Sequence, residues 1–140
     1  MFDLGLKNKV VVITGGSDGL GYASAELLSS QGAKVVICGR RGDYLKEKAQ
    51  IISKKTNNEV LDVQADVSKT EDCKKLIEQT MATFKKVDVL VNNAGASAAG
   101  MFEDVTDKIW EDDINLKLMA TVRMCRLVIP YMKSNQSGVI

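Results

Sequence analysis

Short apolar runs alternate along the chain with longer stretches in which apolar residues recur every three or four positions. Val10 to Ile13 is the first run, continuous and β-branched, as expected of a strand covered on both faces. Leu20, Ala23 and Leu27 follow at helical spacing, in a helix expected to reach about Gln31 with Gly32 as its stop. Ala33 to Cys38 is the second strand. Arg41 to about Asn57 sets Leu45, Ala49 and Ile52 on one helical face, and Asn57-Asn58 ends that helix. Glu59 to Val63 predicts a third, short strand. Thr70 is the predicted cap of the next helix, with Glu71 and Asp72 in the first turn, where negative charge suits the dipole. Its core stripe is Cys73, Leu76, Ile77, Thr80, Met81 and Phe84. Val87 to Asn92 predicts the fourth strand, and small residues up to Gly100 a loop. Thr106 opens a long helix to about Met132, which Pro130 kinks or ends in its last turn. Ser134 to Gly138 predicts a turn, and Gly138 to Ile140 the start of a fifth strand.

Strand and helix in strict alternation predict an α/β fold, a doubly wound parallel sheet of Rossmann type with right-handed crossovers. The strand order 3-2-1-4 places a ligand crevice between the first and fourth strands, at their carboxyl ends. Residues 1–140 are expected to form one domain.

Composition narrows the partners. Apolar residues make up 45% of the chain and charged residues 26%, values of a globular domain. A net charge of +1 points to neither nucleic acid nor a membrane surface. Met1 to Lys9 holds no long apolar region, and no stretch approaches a membrane span, so a cytoplasmic location is expected. Cys38, Cys73 and Cys125 lie far apart in apolar segments and read as small buried thiols. There is no histidine, which removes the commonest general base and zinc ligand, and no metal site is expected.

Chemistry concentrates in the turn after the first strand, Thr14-Gly15-Gly16-Ser17-Asp18-Gly19-Leu20-Gly21. Glycine lets backbone turn sharply and approach a ligand, and the helix that follows offers unpaired amides and a positive dipole end. That combination suits a phosphate. At the end of the second strand, dinucleotide sites that take NAD place a carboxylate for the ribose 2′-hydroxyl. This chain has Gly39 there, then Arg40 and Arg41. Arg40 suits a bidentate contact with a 2′-phosphate, Ser17 can add a hydroxyl, and Arg41 reads equally as a solvated residue opening a helix. NADP is therefore favoured over NAD.

The spacing of Gly15, Gly19 and Gly21, T-G-x-x-x-G-x-G, resembles the glycine loop of the short-chain dehydrogenase/reductase family. Two further motifs in register extend the resemblance over nearly the whole chain: Asp66-Val67-Ser68 after the third strand, and Asn92-Asn93-Ala94-Gly95 after the fourth. The resemblance implies that Asp66, with Val67 beside it, binds the adenine. Closing a turn is the plainer role for an aspartate there. It implies that Asn93, Ala94 and Gly95 line the cofactor ribose and steady the sheet, against the plainer role of a strand-ending turn. Cofactor contacts are thus expected from Gly15, Ser17, Asp18, Gly19, Leu20, Gly21, Arg40, Arg41, Asp66, Val67, Asn93, Ala94 and Gly95. Asn115, followed by Leu116, matches the family's helix asparagine that helps relay protons; a solvent-facing or helix-kinking asparagine is the alternative.

The implied activity is hydride exchange between NADP(H) and a ketone or secondary alcohol. In the family that needs a serine on the fifth strand and a Tyr-x-x-x-Lys pair beyond it, and the residues up to Ile140 do not reach those places. Tyr44 and Lys48 have the spacing but fall on the second helix, and Tyr131 is followed at that distance by Asn135. The expectation is therefore the cofactor-binding part of such an oxidoreductase, a piece of a longer enzyme and inactive alone. A nucleotide-binding or interaction module without chemistry is the alternative. The helix 106–132 carries apolar residues almost all round, and the family pairs it with its twin, so a homo-oligomer through that helix is expected.

Overall fold

A computed structural model of the chain describes residues 3–140. Met1 and Phe2, the first two residues of the expected domain, lie outside the described residues. Four parallel strands form one sheet: β1 (Val10–Thr14), β2 (Lys34–Gly39), β3 (Val60–Gln64) and β4 (Val89–Val91), in the order β3-β2-β1-β4. Helices α1 (Gly19–Ser30), α2 (Gly42–Thr56) and α3 (Thr70–Phe84) join them. After β4 come a 3-10 turn (Phe102–Asp104), α4 (Asp107–Ile114), a wide π-turn (Asn115–Met119) and α5 (Ala120–Ser134). This is the doubly wound, Rossmann-type sheet that the alternation predicts. Among the described residues, no helix is long and apolar enough to cross a membrane.

Each face of the sheet has its own core. Val11, Ile13, Val35 and Ile37 pack with Ala25 of α1 and with Leu45, Ala49 and Ile52 of α2. Val10, Val12, Val36 and Leu90 pack on the other face with Cys73, Leu76 and Ile77 of α3 and with Met124 and Val128 of α5. Strands sandwiched in this way are near-continuous apolar runs, and β1 is buried throughout, apolar from Val10 to Ile13 and ending on Thr14. Cys38 and Cys73 are buried and Cys125 half-buried, all three free; burial pushes the Cys38 thiol up to about 12.

Several boundaries differ from the predictions for physical reasons. Leu20, Ala23 and Leu27 share the outer face of α1, and its buried residues are Gly21, Ala25 and Ser29. A Cβ on Gly21 would stand 2.3 Å from the Gly15 carbonyl oxygen, so α1 lies too close to the turn for a larger side chain. The helical period was readable; the inward face was the one with the smaller side chains. Thr70 is the first residue of α3 rather than its cap. The cap position is Lys69, and Asp72 instead accepts from the Asp66 amide at 2.7 Å.

The predicted long helix 106–132 is divided by the π-turn at Asn115, and it runs through Pro130 to Ser134. Thr106 caps its start by accepting from the Ile109 amide. Its buried stripe in α5 is Ala120, Met124, Val128 and Met132, while Trp110, Ile114 and Leu118 stay exposed. The predicted fifth strand is one parallel bridge, Val89 to Val139, in which the Leu90 amide donates to the Val139 carbonyl at 2.9 Å.

Candidate functional site

The carboxyl ends of β1 and β4 are tied together where their backbone ladder stops, at the Ile13–Val91 pair. The Thr14 hydroxyl oxygen accepts from the amides of Asn93 and Ala94, both at 3.0 Å. The Asn93 side-chain amide donates to the carbonyls of Thr14 and Gly15, again at 3.0 Å each. Asn93 thus binds the turn after β1 to the loop after β4, a structural role that the sequence motif also implied.

A crevice of about 820 Å³ opens above this junction. It brings together Gly15, Ser17, Asp18, Gly19 and Leu20 of the turn, Arg40 and Arg41 after β2, and Asp66 and Val67 after β3. Asn93, Ala94, Gly95 and Asn115 complete the wall. Of the residues expected to serve the site, only Gly21 stands off the lining; it supports the turn from behind, against Gly15 and Asn93. Gly19 has a left-handed backbone, φ +55°, and no atom lies within 4 Å of where a Cβ would stand. No side chain caps α1, so its first amides are left without a side-chain acceptor where the crevice begins.

Three polar clusters line the walls. At the α1 end, Asp18 accepts from the Arg41 guanidinium and the Tyr44 hydroxyl, each at 2.5 Å. The Tyr44 hydroxyl, and then Arg41 and Lys48, hold the Asp18 carboxyl below its usual range. After β3, one oxygen of Asp66 accepts from the Ser68 amide at 3.0 Å and the Ser68 hydroxyl at 2.7 Å. Burial pushes the Asp66 pKa up, but the two Ser68 bonds and the charges of Lys69 and Arg40 outweigh it, and it falls. Asp66 therefore does close the turn, and it faces the crevice as well. At the π-turn, the Asn115 side chain donates to the Ser68 carbonyl at 3.1 Å and accepts from Arg123 at 2.6 Å. Asn115 is tied to the site and does not point free into solvent.

Sequence reasoning missed Asp112, and it named Thr14, Ser68 and Leu116 as members of their motifs without giving them a role in the site. Asp112 sits three residues before Asn115 and four before Leu116, a helical spacing that puts it on the same wall as each of them. Tyr44 and Lys48 do come together, with the ammonium 4.9 Å from the ring centroid, but the hydroxyl is engaged by Asp18.

A glycine turn feeding a helix start, at the carboxyl ends of a 3-2-1-4 parallel sheet, defines a Rossmann-type α/β protein. The chain belongs to the short-chain dehydrogenase/reductase family: the family profile described as short chain dehydrogenase matches residues 9–140. It is 36% identical to 11-beta-hydroxysteroid dehydrogenase A of Sesamum indicum, over 100% of this chain and 40% of that protein. The crystal structure of L-sorbose reductase from Gluconobacter frateurii, complexed with NADPH and L-sorbose, superposes with a TM-score of 0.95. That match has 35% identity and covers 99% of this chain and 53% of that one. A 3-ketoacyl-(acyl-carrier-protein) reductase from Brucella melitensis, complexed with NADH, matches with a TM-score of 0.86 and 34% identity, over 93% and 52% of the two chains. The chain thus spans about half the length of the relatives it matches.

Proposed function

We propose that the crevice holds NADP(H), and that these residues are the cofactor-binding part of an oxidoreductase acting on a small ketone or secondary alcohol. One observation carries this reading: the start of α1 has no side-chain cap, and Gly19 holds a left-handed backbone beside open space where the crevice begins. That is a cradle a Cβ would fill, and it suits a pyrophosphate. The residues present fit the rest of the cofactor. Asp66 and Val67 would take the adenine, and Asn93, Ala94 and Gly95 the nicotinamide riboside. Arg40 and Arg41 would take the 2′-phosphate, since the second strand ends on Gly39 without a carboxylate. The NADPH complex of the Gluconobacter relative supports this choice, and the NADH complex of the Brucella relative keeps NAD as the weaker alternative.

A bound nicotinamide supplies or accepts the hydride. The chain's own share is positioning: the turn orients, the Asn93 bonds hold its two sides together, and Asn115 offers a polar group on the far part of the wall. The Tyr-x-x-x-Lys spacing occurs here only at Tyr44 and Lys48, whose hydroxyl is bound to Asp18. These 140 residues alone are therefore expected to bind the cofactor without turnover. The exposed row Trp110, Ile114 and Leu118 is read as the face that meets a second copy.

Titration of NADPH fluorescence tests the cradle. Gly19→Ala puts a methyl group into the open space that the pyrophosphate would occupy, which should weaken NADPH binding about tenfold. If Gly19→Ala folds and binds NADPH as the parent does, the crevice is not the site.

A further inference from the structure

Asp18 occupies the residue before α1, where aspartate ordinarily turns back to accept from the helix's own amides. It makes no such bond. Its two carboxylate oxygens face the start of α2 instead, one on the Arg41 guanidinium and one on the Tyr44 hydroxyl, both at 2.5 Å. The guanidinium also lies 4.1 Å from the Tyr44 ring centroid, so carboxylate and ring together fix its plane. Arg40, next in line, forms no ion pair with a carboxylate among the described residues. Both arginines and Asp18 line the crevice.

We propose that Asp18 is a specificity-determining residue: by holding Arg41, with Tyr44, it competes with a 2′-phosphate for that guanidinium and lowers the chain's preference for the phosphorylated dinucleotide. This rests on the reading that the crevice takes NADP(H). A guanidinium offers five N–H donors in one plane, and two anions on it must divide them. The phosphate must either share Arg41 with a carboxylate or draw it away, and the carboxylate then faces the phosphate unneutralised. NADH carries no group that enters this contest. Arg40 is left as the cation in no direct ion pair among the described residues, with the Asp66 carboxylate near enough to feel its charge, and Arg41 as one held in reserve.

Four proteins test the proposal by direct binding: the parent, Asp18→Asn, Arg41→Ala and the double variant, each titrated with NADPH and with NADH and checked for folding by circular dichroism. Asp18→Asn keeps the shape and removes the charge. It should tighten NADPH about threefold to fivefold, the scale of an exposed ion pair, and move NADH by less than about twofold. In the Arg41→Ala background the gain should vanish. The proposal is overturned if Asp18→Asn leaves the NADPH to NADH ratio unchanged or lowers it. It is also overturned if the gain is equally large without Arg41, because the carboxylate would then act by plain repulsion. A parent that binds neither nucleotide removes the cofactor reading and this proposal together; a parent that prefers NADPH with a silent Asp18→Asn removes this proposal alone. Should Asp18→Asn fail to fold, Asp18→Ser repeats the test with another neutral residue favoured at that position.

Discussion

β1 and β4 are neighbours of similar sequence and unlike structure. β1 is paired along its length with β2 and in part with β4, and all five of its residues are buried. β4 keeps three residues of the six predicted, Val87 to Asn92, with Val89 and Val91 half-buried. It has β1 on one side and the single Val139 bridge on the other. The lesson is that an apolar run becomes a full strand only where neighbours satisfy both edges of its backbone. At the carboxyl end the two strands become equal partners, because Thr14 and Asn93 replace the missing ladder with side-chain bonds. The crevice lies at that replacement.

The comparison breaks most readily at its centre. Ile13→Ala should cost about 2–5 kcal/mol in urea unfolding, because the cavity would be enclosed on every side. Val91→Ala, at the half-buried edge, should cost about 1 kcal/mol. Equal losses would mean that β4 is as central as β1. Next in size after Ile13→Ala is Asn93→Ala, which removes two donors at the junction and should cost about 1–3 kcal/mol. A loss confined to nucleotide affinity, with unfolding unchanged, would assign Asn93 to the ligand rather than to the joint.

The smallest effect lies at the amino end of the same pair. There Asp88 accepts from the Val10 amide at 2.8 Å and pairs with Lys86 at 2.8 Å. Burial raises the Asp88 pKa, but Lys86, the Val10 amide and Lys9 outweigh it, and it falls below its ordinary 3.8. A carboxyl lowered on folding stabilises fully above its unfolded value and loses that contribution as pH falls through the folded one. Stability should therefore hold down to about pH 4 and decline below it. Asp88→Asn should flatten part of that decline; an unchanged acid limb in urea titrations would put the carboxyl outside the joint.

Much of the site was legible because its parts are local in sequence. The glycine turn, Asp66-Val67-Ser68 and Asn92 to Gly95 each follow a strand directly, and a parallel sheet carries all such ends to one side. The partners of those residues were not legible in the same way. Asp18 meets Arg41 and Tyr44 across 23 and 26 residues, and Thr14 meets Asn93 across 79. Nothing near Asp18 in the chain distinguishes a carboxylate that caps its helix from one that reaches to another. The inward face of α1 was not legible for a related reason. Leu20 and Leu27 are the larger apolar residues, but only small ones fit where the helix touches the turn.

The order of hydrophobic runs and helical repeats determined by itself that this chain builds a parallel sheet, because continuous β-branched segments need cover on both faces and the intervening helices supply it. It also determined where the turn proposed to cradle a phosphate stands, since a strand, a glycine turn and a helix start are consecutive in the chain. Only the tertiary structure decided that Arg41 is the arginine held by Asp18, how far β4 extends, and where Asn115 is anchored. Those outcomes depend on groups that chain connectivity leaves far apart, and on distances of one side chain that no local pattern records.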